Sequence, residues 1–248
     1  MSLSRTGPVA AVILSGIALV VLAVAPFGWR LGWWPYGFGL YRLMPASGLI
    51  GALAVILAVV TLVLGWSGLR LRGLCMLSVA ICLGAALAYV PWQYSRLRST
   101  LPPIHDLTTD TDNPPEFRAV LSARAAENAG GVEYDDPRVP QLQKAAYPDL
   151  APLKAALPAT KVFEEALHVA KAMPGWTIIA ADAETGRIEA SQQSRWFRFT
   201  DDIVIRVAND VAGCRIDVRS TSRQGRSDYG VNAARIRAYL GALRKRIG

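Results

Sequence analysis

Residues 201–223, DDIVIRVANDVAGCRIDVRSTSR, decide the fold of the C-terminal half of the chain. Ile203, Ile205 and Val207 recur at every second position, as do Ile216 and Val218, and Asn209–Gly213 reads as a turn between them. A period of two puts alternate side chains on opposite faces of a strand, so the pattern predicts antiparallel strands over Ile203–Ala208 and Cys214–Arg223. One face is apolar. The other carries Arg206, Arg215, Asp217, Arg219, Thr221 and Arg223.

Working upstream, Arg187–Phe199 reads as a bulged strand and Trp176–Ala181 as a further one, joined through a turn at Asp182–Gly186. Connections this short make the four strands an antiparallel meander. Before them, Thr160 is placed to cap a helix with Phe163, Leu167, Ala170 and Met173 on one stripe and Lys161, Glu164, His168 and Lys171 opposite. Pro174-Gly175 ends it. After the strands, Ile236, Leu240, Leu243 and Ile247 fall at helical spacing over about Val231 to Arg246. Two helices bracketing four strands imply an α+β two-layer sandwich with the helices over the apolar face.

Further upstream the sequence becomes irregular. A short helix is expected from Glu116 to Asn128, stopped by Gly130-Gly131, and prolines 137, 140, 148 and 152 then close off any long element. Residues 95–115 hold Pro102, Pro103, Pro114 and Pro115 among Thr and Asp and read as an extended tether. The expected organisation is a membrane part over 1–94, a tether over 95–115 and a soluble domain over 116–248.

No acidic residue precedes Asp106, and the only charged side chains of residues 1–95 are Arg5, Arg30, Arg42, Arg70 and Arg72. The charge-free runs 6–29, 43–69 and 73–95 each exceed the roughly 20 residues a helix needs to cross about 30 Å of hydrocarbon. Spans are expected near 8–28, 47–67 and 73–92. Trp29, Trp33, Trp34, Tyr36, Tyr41, Trp92 and Tyr94 gather at one expected interface and Trp66 at the other, as amphipathic rings do. A cleaved signal ending at Ala23-Val24-Ala25 is the alternative for the first span, but its apolar stretch exceeds the roughly 7–15 residues of a signal core. Arg5, Arg70 and Arg72 oppose Arg30, Arg42, Arg96 and Arg98, so the positive-inside count is close to a tie.

The 52% hydrophobic content excludes a disordered chain, and three cysteines exclude a disulfide scaffold. Cys75 and Cys82 lie one heptad apart on the third expected span and Cys214 on a soluble strand, so no disulfide and no Cys/His metal site is expected. The net charge is +8, yet the arginines are not interleaved with stacking aromatics, and no nucleic-acid partner follows. Residues 195–248 hold twelve basic and five acidic side chains, so the basic surplus belongs to the C-terminal third.

Several motifs occur in fixed order: HDLTTDTDNPP (105–115), YPD (147–149), GRIEA (186–190), DDIVIRV (201–207) and RIDVRSTSR (215–223), then Gly225, Ser227-Asp228, Gly230 and NAARI (232–236). Over about residues 102–246 the chain resembles domain-of-unknown-function family 1499. Cys214 stands where a small polar residue is expected. The resemblance implies a membrane-tethered or exported domain and carries no catalytic residues across. With it, the N-terminus is expected in the cytoplasm and residues 96–248 outside the inner membrane.

The candidate ligand-binding residues are Arg206, Arg219, Ser220, Ser222, Arg223, Ser227, Asp228 and Asn232. Arg219 and Arg223 share strand parity, hydroxyls flank them, and a glycine-bearing loop opens a helix, which together suit an anion. The same residues have a structural reading, in which Asp217 or Asp228 pairs with Arg219 and Arg223 and Asp228 or Asn232 caps the helix. Gly225-Arg226-Ser227-Asp228-Tyr229 misses the nucleophile-elbow pattern at its last position, and no catalytic residue, cofactor or metal is assigned. His105 with Asp106, Asp110 and Asp112 offers hard-metal ligands, although acidic tethers are usually solvated. Three classes remain. They are a binding module for an anionic lipid headgroup, glycan or partner protein, a structural subunit of an envelope complex, and a hydrolase using the Ser/Asp/Arg cluster.

Overall fold

Charge-free sequence forms long helices in the first of two units, Met1–Leu97 and Arg98–Gly248, in a computed structural model that describes residues 3–134 and 136–248. Helix α1 (Leu3–Arg30) is followed by a short turn, α2 (Tyr36–Phe38), and a π-helical turn at Gly39–Leu43 that runs on into α3 (Met44–Leu64). Helix α4 spans Leu71–Thr100. Three stretches, Leu3–Arg30, Tyr36–Leu64 and Leu71–Thr100, are long and apolar enough to cross a membrane. They extend past the expected spans because arginine limits the apolar run, not the helix; Arg5, Arg96 and Arg98 all sit within helical turns.

Small residues let these helices approach closely. A Cβ at Gly51 would lie 2.8 Å from the Gly84 carbonyl, and one at Gly84 would lie 2.7 Å from that of Gly51. Contact through small residues is how helices associate where lipid offers no hydrophobic drive. Ser15 Oγ donates to the Ala11 carbonyl of its own helix and across to that of Ala80. Cys75 and Cys82 are exposed on α4, Cys214 is buried, and all three thiols are free.

The second unit is α+β, and its sheet holds the expected meander: β3 (Trp176–Asp182), β4 (Arg187–Gln193), β5 (Thr200–Asp210) and β6 (Gly213–Ser222) pair in sequence. The bulge lies in β3, where the register shifts between Ile178 and Ala180. Residues 194–199, expected within the second strand, form the turn into β5. Two short strands extend the sheet beyond β6: β1 (Asp106–Thr108) pairs with Thr221–Arg219 and β2 (Leu153–Ala155) with Ile216–Cys214. Residues 106–108, expected within the tether, are therefore part of the sheet. Three residues are too few to show a period, so nothing local marks such strands.

On one face lie α7 (Ala159–Ala172) and α8 (Val231–Ile247), enclosing a core of Ile188, Ile203, Ile205, Ile216, Val218, Phe163, Ile236, Tyr239 and Leu243, among others. Phe163 and Ala170 of the expected α7 stripe are buried, together with Val162, Ala166 and Val169, while Leu167 and Met173 pack at its margin. Pro158 takes the N-cap position of α7, and Thr160 makes no cap bond. Cys214 belongs to this core, and burial raises its thiol pKa, as does the nearby Asp210 charge.

The opposite face is also covered. Residues 109–134 lie over it, with a single helical stretch, α5 (Leu121–Ala126), and a small apolar cluster of Phe117, Val120 and Val204. Helix α6 (Arg138–Ala146) follows where irregular chain is expected. Its Pro137 is the N-cap and Pro140 lies in the first turn, where the missing N–H has no intrahelical acceptor to lose. Gln143 of α6 is buried and clamps β1 through both amide atoms, its Oε1 accepting from Thr108 N–H and its Nε2 donating to the Thr108 carbonyl.

Candidate functional site

Strand parity divides the expected ligand set. Arg206, Arg219 and Arg223 project under the 109–134 layer, whereas Ser220, Ser222 and Asn232 meet on the helix face. Arg219 and Arg223 are four residues apart, about 13 Å along an extended strand at roughly 3.3 Å per residue. They enter separate clusters.

Arg219 is 3% exposed and forms a bidentate pair with Asp106, donating from Nε and Nη2 at 2.9 and 2.7 Å. It donates further to the carbonyls of Pro115 and Val132, and its guanidinium lies over the rings of Phe117 and Tyr134. All three nitrogens of the guanidinium thus donate within the protein. Burial raises the Tyr134 hydroxyl pKa, the Asp106 charge adds to this, and Arg219 opposes it.

Arg223 donates to both oxygens of Asp202, at 2.9 and 2.8 Å, and to Glu127 at 2.6 Å. Arg124, from α5, reaches the same Asp202 at 2.8 Å, and Ser191 Oγ donates to it as well. The side chains of Asp202, Arg124 and Arg223 are 0%, 3% and 4% exposed. The Asp202 bond raises the Arg223 pKa despite its burial. Arg206 joins a third cluster, donating with Arg215 to Asp217 and Asp110. Asp106 and Asp110, considered as metal ligands, thus serve arginines.

On the helix face, Ser220 Oγ donates to Asn232 Oδ1, and Asn232 Nδ2 donates to Ser222 Oγ and to the His105 carbonyl. Arg235 completes this group by donating to Asp201, Ser220, Gln192 and Asn232. The N-cap of α8 is Gly230, at φ 83°, which favours glycine. Asp228 does the capping, its carboxylate accepting from Gly230 N–H at 3.0 Å and Asn232 N–H at 2.6 Å. Burial nonetheless pushes the Asp228 carboxyl above its ordinary pKa. Ser227 Oγ donates to the Pro102 carbonyl and accepts from Tyr229 N–H.

Arg124, Glu189 and Arg235 were not among the expected residues. Glu189, 1% exposed, accepts from the backbone N–H groups of Arg118 and Val120 and so fastens the covering layer to β4. Its alternation with Ile188 and Ala190 gave no sign of this, because its partners are backbone groups in an irregular segment. Arg235 stood in the NAARI motif and was legible as helix, not as a buried cation.

The architecture is that of three helices long and apolar enough to cross a membrane, followed by an α+β unit whose polar sheet face is internal. The chain belongs to the family described as Protein of unknown function (DUF1499), whose model matches residues 106–243. That match runs from β1 to the last turns of α8 and contains all three arginine clusters. No curated protein and no solved structure matches the chain.

Proposed function

We propose that this protein is a membrane-anchored, non-catalytic binding module of the cell envelope, with its soluble unit outside the inner membrane, and that its anionic ligand meets exposed arginines. One observation carries the reading: Arg206, Arg219 and Arg223 are taken by internal carboxylates, whereas Arg195, Arg198 and Arg226 are exposed and have no ion pair among the described residues. A guanidinium already in a bidentate carboxylate pair has no fork left for a ligand, and an exposed one does. The test is polyphosphate binding to the full chain in neutral detergent. Binding lost in the Arg195→Gln/Arg198→Gln/Arg226→Gln variant, with melting unchanged, supports the reading. No binding by wild type removes it.

A structural subunit of an envelope complex is the second reading, favoured by β3, which ends the sheet and leaves Ile179 45% exposed. Recovery of a stoichiometric partner with the intact protein, lost on Ile179→Lys, would favour it. The orientation has its own test. A cysteine at Ser99 should react with an impermeant maleimide in intact spheroplasts, and labelling only after lysis would reverse the topology.

A further inference from the structure

We propose that the β4–β5 turn, Ser194–Phe199, together with Arg226, is a contact surface for an anionic lipid bilayer. This rests on the reading that exposed arginines meet the anion, and it names the partner. The turn is held in shape from within. Ser194 N–H donates to the Phe199 carbonyl at 2.8 Å, Phe199 N–H donates to Ser194 Oγ at 2.9 Å, and Arg198 N–H donates to the Ser194 carbonyl. Phe197 is buried and stacks on Phe199 at 5.0 Å, while Arg198 sits at a left-handed φ of 55°. With Phe197 turned inward, Trp196 is turned out and is 55% exposed.

Register brings a second loop alongside. Arg223 N–H donates to the Thr200 carbonyl, and Thr200 N–H donates to Gln224 Oε1, so Arg226 lies in the loop next to the turn. The acids nearby are committed: Asp201 to Arg235, Asp228 to the α8 cap and Glu127 to Arg223. Glu127 stays exposed on its buried partner, so three exposed arginines stand against one exposed carboxylate and the balance at this end is positive.

The chain also arrives from α4 at this end of the sheet. His105 carbonyl accepts from Ser222 N–H, and Ile104 carbonyl accepts from Asp228 N–H. Only residues 101–105 separate the last turn of α4 from β1. An amphipathic tryptophan flanked by arginines is the chemistry of the headgroup layer, where indole sits at the interface and guanidinium pairs with phosphate.

The experiment places the full chain in nanodiscs of phosphatidylcholine alone or with about a third phosphatidylglycerol, an anionic composition that attracts basic side chains. Bromine on the acyl carbons nearest the headgroup quenches tryptophan at the interface. Wild-type fluorescence minus that of Trp196→Phe isolates Trp196 from the other tryptophans. The expected result is quenching of the Trp196 share in the anionic discs, several-fold weaker in phosphatidylcholine and lost in Arg195→Gln/Arg198→Gln/Arg226→Gln. Each arginine near an anionic surface contributes about a fivefold factor, so the triple variant should lower the bound-to-free ratio roughly a hundredfold. An unquenched Trp196 in anionic discs overturns the proposal. If polyphosphate binding survives that result, the wider anion reading stands without lipid; if it is absent too, both fall.

Discussion

Two populations of arginine lie around one sheet and are set apart by what surrounds them. Arg124, Arg206, Arg219, Arg223 and Arg235 lie between layers of protein and each meets at least one carboxylate. Arg195, Arg198 and Arg226 lie at the end of the sheet and are exposed. The first group costs desolvation that its partners offset only while they are intact, so removing a partner is expensive. The second group loses little when removed. The buried arginines are thus internal architecture, whereas at this end of the sheet the exposed ones sit in loops.

Asp202 offers the severest way to break that contrast. It is fully buried and serves Arg124 and Arg223 together, so Asp202→Asn leaves two buried cations facing a neutral amide. Breaking a buried pair on one side costs about 3–5 kcal/mol. For a unit of this size that corresponds to a fall of roughly 6–20 °C in melting midpoint at about 2–4 °C per kcal/mol. Thermal melting of the sheet signal by circular dichroism checks it, and an unchanged midpoint would mean the cluster is not a cooperative part of the fold.

Arg219→Gln should come next. It strands Asp106, which is 15% exposed, and empties the space between Phe117 and Tyr134. The expected loss is about 2–3 kcal/mol. Because Arg219 also holds the Pro115 and Val132 carbonyls, amide exchange should quicken across 115–134 before the rest of the sheet. A ligand-contacting role would instead leave melting and exchange near wild type.

These clusters explain how far the sequence could be read. The meander, α7, α8 and the three apolar helices were legible because periods of 2 and 3.6 and uncharged length are local signals. The structural pairing of Arg219 and Arg223 was also foreseeable as a class, but its partners were not. Asp217 serves Arg206 and Arg215, while Asp106 and Asp202 serve Arg219 and Arg223. Alternation tells which face a side chain takes and says nothing of whether that face is covered. The covering layer, 109–134, has almost no regular structure, so its bonds to Glu189 and Arg219 are visible only in three dimensions. The grouping of Ser220 and Ser222 with Arg219 and Arg223 fails on parity alone, since odd and even positions of β6 face opposite ways.

A milder probe uses pH. Burial raises the folded-state pKa of Asp228 above its ordinary 3.8, so between those two values the folded chain holds more protons than the unfolded one. Stability attributable to this group therefore falls as pH rises from about 3.8 through the raised pKa, and is lowest once the carboxylate is ionised in both states. Asp228→Asn keeps a carbonyl acceptor for Asn232 N–H and removes the titration. The part of the melting-versus-pH slope that disappears in Asp228→Asn should be negative. A positive slope at this group would mean that its two backbone N–H bonds outweigh its burial.

The smallest effect on stability should come from the exposed end. Arg195, Arg198 and Arg226 make no ion pair among the described residues, so replacing all three by Gln removes charge without stranding a partner. Surface substitutions of this kind stay within about 0.5 kcal/mol each. The Arg198 backbone, at φ 55°, is locally strained, as is that of Tyr229 at φ 53°; glutamine bears the strain as arginine does, and Arg198→Gly should relieve it slightly. Melting of the triple variant should then lie within a few degrees of wild type while Asp202→Asn falls well below. If instead the triple variant melts as low as Arg219→Gln, the turn is part of the same network as the buried arginines. The division between internal and presented charge would then move outward to include it.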